Sequence, residues 1–99
     1  MAQDEIHRQF IQMLEKRKGL KDQERKAWES LNQAKKALSE VKRRYVPKMK
    51  NGALVIPDAS HVENAQQAVY DAFGRYEGIS EQVGAINRTC IAFAYEHGL

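Results

Sequence analysis

Apolar side chains recur every three or four residues through the first half of the chain, in one continuous frame. The frame collects Ile6, Phe10, Met13, Leu20, Ala27, Leu31, Ala34, Leu38, Val41 and Tyr45. Only Arg17 and Glu24 place polar side chains in it. A 3.5-residue repeat held over several heptads is typical of one helix of a coiled coil. Because proline is absent until Pro47, the pattern predicts helix 1 over about residues 3–45.

The second half of the chain carries the same repeat. Its members are Val62, Ala65, Val69, Ala72, Tyr76, Ile79, Val83, Ile86, Cys90, Phe93 and His97, and we call the two sets together the seam. Pro57 precedes the run, and Ser60 with Glu63 forms an S-x-x-E capping box. Asp58 is the rival cap. The pattern predicts helix 2 over about residues 60–97.

Glycines stand inside both predicted helices. Gly19, Gly74, Gly78 and Gly84 each weaken a helix by about 1 kcal/mol relative to alanine. The heptad frame keeps its phase across every one of them, whereas a loop would shift it. The sequence therefore predicts continuous helices of about 60 Å each. A kink near Gly19 or Gly78 is the alternative.

The segment 46–57, between the helices, has the composition of a β-hairpin. Asn51-Gly52 suits a two-residue type I′ turn, because both residues tolerate positive φ. Ala53–Ile56 reads as a strand, and Pro47 restricts the preceding flank to an edge strand or a strand start. An isolated hairpin is marginal in water. We therefore expect Leu54 and Ile56 to pack on the helix ends, or the hairpin to pair with another chain.

These elements predict an all-α fold for residues 1–99, as a single domain: an antiparallel coiled-coil helical hairpin with a short β-hairpin at the bend. The order of helix, β-hairpin and return helix resembles that of a β-type prefoldin subunit. Residues 30–40, SLNQAKKALSE, also resemble the first helix of some members. The similarity covers about residues 25–60, and the glycine-containing second half departs from the family. It would imply a hairpin-mediated oligomer with client-binding coiled-coil tips.

Helix 2 carries a second stripe of small and apolar residues beside its seam. We call it the outer stripe: Tyr70, Phe73, Ser80, Gly84, Ile91 and Ala94. An amphipathic surface wider than one seam indicates more than one neighbour. A two-helix hairpin offers only one, so the stripe predicts an interface with a second copy or another partner, with Tyr70, Phe73, Gly84, Ile91 and Ala94 as its oligomer contacts. A broken helix folded back into a three-helix bundle is the alternative.

Charge divides the chain into a basic and an acidic half. Residues 1–50 hold fourteen Lys/Arg and seven Asp/Glu, a net of +7, and residues 51–99 hold two and six, a net of −4. The excess clusters near the bend in the residues that we call the basic tip: Lys35, Lys36, Lys42, Arg43, Arg44, Lys48 and Lys50. Asp58, Glu63 and Asp71 could neutralise part of it. The remainder suits the acidic surface of another protein or the phosphates of a nucleic acid.

Motifs for catalysis, cofactors or metals are not evident in the sequence. There is no phosphate-binding glycine loop, HExxH or G-x-S-x-G motif. His7 and His97 would lie at one level with nearby carboxylates, but two histidines near chain ends are commonplace, and we predict no metal site. Cys90 on the seam predicts a small buried side chain. Trp28 flanks the seam, either as a lid over it or as an anchor for a partner.

The sequence thus favours a non-enzymatic protein without cofactors: an adaptor, a chaperone-like subunit or a small inhibitor, acting as a homo-oligomer and binding a protein with an acidic surface. Nucleic-acid binding through the basic tip is the alternative. The polar start at residues 1–5 and the absence of a long apolar run predict a cytoplasmic protein with no membrane contact. The single cysteine agrees with a reducing compartment. Such a protein would suit a phage or another mobile element.

Overall fold

The computed structural model describes residues 2–99, with side chains from Gln3 onward; Met1, the first residue of the polar start, lies outside them. Helix α1 spans Ala2–Arg44 and helix α2 spans Ser60–His97. Strands β1 (Lys48–Lys50) and β2 (Ala53–Val55) lie between them. The two helices pack against each other and form a rod of 85 × 14 × 14 Å. The predicted helical hairpin is confirmed, and the three-helix bundle is excluded.

Both helices run unbroken through their glycines. A methyl group added at Gly19, Gly74 or Gly78 would point into open space, so none of these three glycines is required by a close contact within the chain. The prediction of continuous helices from the unshifted heptad phase is confirmed, since neither helix is interrupted at Gly19 or Gly78.

The predicted seam forms the core along the described rod. Every seam position from Ile6 to Phe93 is buried or half-buried, including the polar Arg17 and Glu24. The most enclosed side chains are Leu31, Ala72, Val83 and Cys90, with Leu31 only 1% exposed. His97 continues the frame but is exposed, because it is the last residue of α2 and no further turn covers it. Two helices alone can enclose little more than one line of side chains.

Contacts between aromatic rings show which residues of α1 lie opposite which residues of α2. Phe10 lies parallel to Phe93, with ring centroids 6.0 Å apart, and Phe93 contacts His97 at 4.3 Å. Farther along the rod, Trp28 contacts Tyr76 at 5.2 Å. These contacts fix one antiparallel register from the chain ends toward the bend.

The N-terminus of α2 is capped by Asp58 and not by the predicted Ser60–Glu63 box. The Ser60 backbone N–H and hydroxyl donate to the two oxygens of Asp58, at 3.0 and 2.9 Å. Ala59 already has helical dihedral angles (φ −74°, ψ −9°), so Ser60 lies too far inside the helix to cap it. The capping-box prediction was wrong, and the rival cap is the one used.

The C-terminus of α2 ends on a glycine in the left-handed conformation. Gly98 has φ 67°, and the N–H of Leu99 donates to the carbonyl of Ala94 at 2.8 Å. This bond satisfies a carbonyl of the last turn, as in the Schellman motif. Neither of the described helices contains an apolar stretch of the length that a membrane-spanning segment needs.

Candidate protein-binding tip

The β-hairpin forms the end of the rod and turns on the predicted dipeptide. Asn51 and Gly52 have φ of 52° and 79°, as a type I′ turn requires. β1 and β2 pair antiparallel, with Met49 opposite Leu54. Pro47 directly precedes β1, where its missing N–H removes no bond from the ladder. The predicted hairpin over 46–57 is confirmed, with strands shorter than that segment.

The hairpin does not pack on the helices, contrary to one of the two arrangements expected for it. Leu54 is 60% exposed and Ile56 is 63% exposed. Neither strand contacts either helix within the described residues, so these two side chains have no helix face to pack on. The other arrangement, pairing with another chain, remains a prediction.

Alternation along the strands gives the hairpin two unlike faces. Met49 and Leu54 are directly paired and share one face, which is aliphatic. Lys48 and Lys50 lie on the opposite face, across from Val55 and Ala53 respectively. Met49 is 69% exposed, so the aliphatic face is open to solvent. Sequence reasoning treated Leu54 as part of the packing and overlooked this face; the alternation of Met49 between two lysines was the signal.

All seven side chains of the basic tip are exposed. None of the acids expected to neutralise them, Asp58, Glu63 and Asp71, forms an ion pair with them in the described residues. Asp58 is bonded to Ser60, Asp71 accepts from the Gln67 amide at 3.0 Å, and the ion pair found among residues 3–99 is Arg25–Glu29 at 3.1 Å. The seven side chains of the basic tip therefore remain exposed and outside any ion pair in residues 3–99.

Part of the basic tip also has a role within its own helix. Lys42, Arg43 and Arg44 form the last turn of α1, where cations interact favourably with the helix dipole. Lys35 instead lies with its ammonium 5.9 Å from the Trp28 ring. Helix stabilisation explains the local charge of that last turn, but it does not account for Lys48 and Lys50 on the hairpin.

A cleft opens between the helix ends just below the hairpin. It has a volume of about 300 Å³ and is lined mostly by apolar surface. The lining side chains are Val41, Arg44, Tyr45, Pro57, Asp58, His61 and Val62. Backbone and hydroxyl hydrogen bonds from Ser60 lower the pKa of the Asp58 carboxyl, with a smaller contribution from His61. The cleft thus offers an apolar floor with one fixed negative charge and the Arg44 guanidinium at its margin.

Three of the five predicted oligomer contacts are exposed, and the other two are partly covered by the chain itself. Tyr70, Phe73 and Ile91 are exposed, and Gly84 and Ala94 are half-buried. Trp28 covers Tyr76 and so acts as the predicted lid, yet 46% of its surface stays exposed. The structure therefore keeps the tip and the outer stripe as two separate open surfaces.

The histidines considered for a metal site are engaged separately. His7 Nδ1 lies 2.8 Å from the carbonyl of Gln3 on its own helix, and His97 packs on Phe93. No group of three or more His, Cys, Asp or Glu suited to a metal ion occurs in the part of the chain that the structure describes. Cys90 is buried with a free thiol, as predicted for a small seam residue.

Comparison of the chain with protein-family models, with curated proteins and with solved structures found no match.

Proposed function

We propose that the protein is a non-enzymatic coiled-coil module that binds another protein through the hairpin and the basic tip, and that it acts as a homo-oligomer. The main support for the proposal is that Met49 and Leu54 form an exposed aliphatic pair on the hairpin. The opposite face of the hairpin presents Lys48 and Lys50. Buried apolar contacts surrounded by polar ones are the usual anatomy of protein interfaces. Such a module acts as an adaptor, a chaperone-like subunit or a small inhibitor, and we place it in the cytoplasm.

The partner that fits this end has an apolar patch with an acidic rim. Met49 and Leu54 would enter the patch, while the lysines and arginines of the tip would face the acids. The cleft beside Tyr45 could receive one apolar side chain from the partner. Charge complementarity of this kind speeds association and selects partners, and the apolar contacts supply affinity.

Site-specific photo-crosslinking in the native host tests the proposal. A crosslinking residue at Met49 should capture a defined protein, and the same residue at Glu96, at the other end of the rod, should not. Arg43→Glu with Arg44→Glu should abolish the capture, and so should Leu54→Asp. Equal capture from both ends, or capture that survives both sets of changes, would contradict binding through the tip.

Nucleic-acid binding is the second candidate, and it is favoured by the seven exposed cations. Phosphate binding releases counterions and therefore weakens steeply with salt. Binding of duplex and single-stranded DNA should be measured at about 50 and about 200 mM salt. Steeply salt-dependent binding that Arg43→Glu with Arg44→Glu abolishes would promote this candidate, and no binding at the lower salt would remove it.

A further inference from the structure

The outer stripe of α2 is nearly symmetric about Gln82. Tyr70 and Ala94 lie twelve residues before and after it, and Phe73 and Ile91 lie nine residues away on either side. Ser80 and Gly84 lie two residues away. Gln82 itself is on another flank of the helix and only marks the centre. A stripe that reads the same in both directions can pair with its own copy in antiparallel orientation.

From this symmetry we propose that two copies associate through α2, antiparallel, about a two-fold axis at the level of Gln82. Residues equally distant from the centre then come opposite each other. Tyr70 meets Ala94 of the second copy, and Phe73 meets Ile91, so a large side chain faces a smaller one at each end. Ser80 meets Gly84 at the centre, where small side chains let the two backbones approach closely.

Glu77 and Arg88 supply complementary charges in the same register, while Glu81, which lines the same groove, lies one residue from the centre. Glu77 lies five residues before Gln82 and Arg88 lies six residues after it, both exposed. They line one open groove with Phe73, Ser80 and Gly84, yet they do not pair with each other within the described chain. The antiparallel pairing brings Glu77 of each copy beside Arg88 of the other. A two-fold interface thereby gains two equivalent ion pairs.

The Arg88 side chain already lies over the central gap. Its Nη1 atom is 3.4 Å from the position that a Cβ would take at Gly84. In the isolated chain the guanidinium thus covers the bare backbone of Gly84. If the Arg88 guanidinium turned toward Glu77 of a second copy, it would expose the Gly84 backbone, where the two helices approach most closely. The ion pair and the contact between Ser80 and Gly84 would therefore form together.

This inference rests on the proposed homo-oligomer and adds its geometry. Gln82 lies fifteen residues, about 23 Å, from the end of α2 at His97. Of the 85 Å rod, about 60 Å therefore extends from the centre to the hairpin. Two copies would form a particle of about 120 Å with one basic tip at each end. The dimer could therefore bind two partner molecules, one at each end. Its two tips could not both bind the same face of one partner.

Charge exchange tests the pairing, with mass measured by sedimentation equilibrium at tens of micromolar. The unmodified chain should be a dimer. Glu77→Arg and Arg88→Glu should each weaken self-association by at least about tenfold, because like charges then face each other. An equimolar mixture of the two variants should restore a dimer, since each arginine again meets a glutamate. Glu96→Arg, on the other flank of α2, is the matched control and should leave the dimer unchanged.

Small-angle scattering on the dimer should give a maximum dimension of about 120 Å. A dimer of about 85 Å would indicate parallel pairing and overturn the geometry while leaving the homo-oligomer in place. A dimer that neither charge variant weakens, or a mixture that stays monomeric, would also overturn it. A monomeric unmodified chain, or a stripe occupied only by a different protein, would overturn both the geometry and the homo-oligomer, without bearing on the tip, which the crosslinking experiment tests.

Discussion

Trp28 on α1 packs against Tyr76 on α2, with ring centroids 5.2 Å apart and ring planes inclined by 53°. The contact extends the core beyond the two lines of the seam, because Trp28 flanks the seam and Tyr76 belongs to it. Lys35 adds its ammonium above the same indole. One side of the rod therefore has a wider core than the seam alone predicts.

Removing either ring should destabilise the helical pair. We expect Trp28→Ala to lower the free energy of unfolding by about 1.5–3 kcal/mol, measured by urea denaturation. A double-mutant cycle with Tyr76→Ala should give a coupling of about 0.5–1.5 kcal/mol for the ring pair. Lys21→Ala is the control, because Lys21 is exposed on α1, away from the outer stripe, and its removal should cost less than about 0.5 kcal/mol. A coupling near zero would show that the rings do not interact.

Glycine replacement tests whether the helices are continuous. Gly78→Ala should stabilise the protein by about 1 kcal/mol, because the residue is helical and its new methyl group meets open space. Gly74→Ala should behave alike. If α2 broke at Gly78 in the left-handed conformation, the same change would be destabilising instead. Thermal unfolding followed by circular dichroism at 222 nm distinguishes the two signs.

The turn at the tip should be separable from the helices. Replacing Asn51-Gly52 with Ala-Ala forces two alanines into positive φ, at a cost of about 1–2 kcal/mol per residue. We expect the hairpin to lose its amide protection from hydrogen exchange while the helical circular dichroism remains. Loss of helicity along with the hairpin would show that the bend organises the helices and is more than their connector.

Acid should weaken the cap of α2. Hydrogen bonds from Ser60 lower the pKa of the Asp58 carboxyl in the folded chain. The resulting stabilisation is present above the unfolded pKa, near 4, and is lost as the pH falls through the lower folded value. Asp58→Asn keeps an oxygen to cap the helix but does not titrate. The melting temperature of the unmodified chain should therefore fall more steeply between about pH 5 and pH 2 than that of the variant. Identical slopes would contradict a role for this carboxylate.

The seam and the turn could be predicted because local patterns determine them. A 3.5-residue repeat specifies which face of each helix is buried, and Asn51-Gly52 specifies the turn through its tolerance of positive φ. The cap could not be decided in advance, because Asp58 and Ser60 are both good caps and the backbone at Ala59 selects between them. The exposure of Leu54 depends on the direction in which the hairpin leaves the helix ends, and no local pattern encodes that direction.

The basic tip was recognisable from sequence only as a cluster of charge. Its aliphatic side became visible once strand pairing placed Met49 opposite Leu54. The near symmetry of the outer stripe was present in the sequence, but it suggested an interface only once the structure showed that Phe73 and Ile91 are exposed. Spacing identifies apolar residues, whereas packing decides which of them remain available to a partner.

Both proposed binding surfaces require that the chain is an extended pair of helices with an apolar flank that it does not cover itself. Small-angle scattering of a variant that carries Phe73→Asp and Ile91→Asp, which should remain monomeric, measures this directly. We expect a radius of gyration close to the 23.0 Å of the Cα trace. A value near 13 Å, the size of a compact domain of this length, would contradict it.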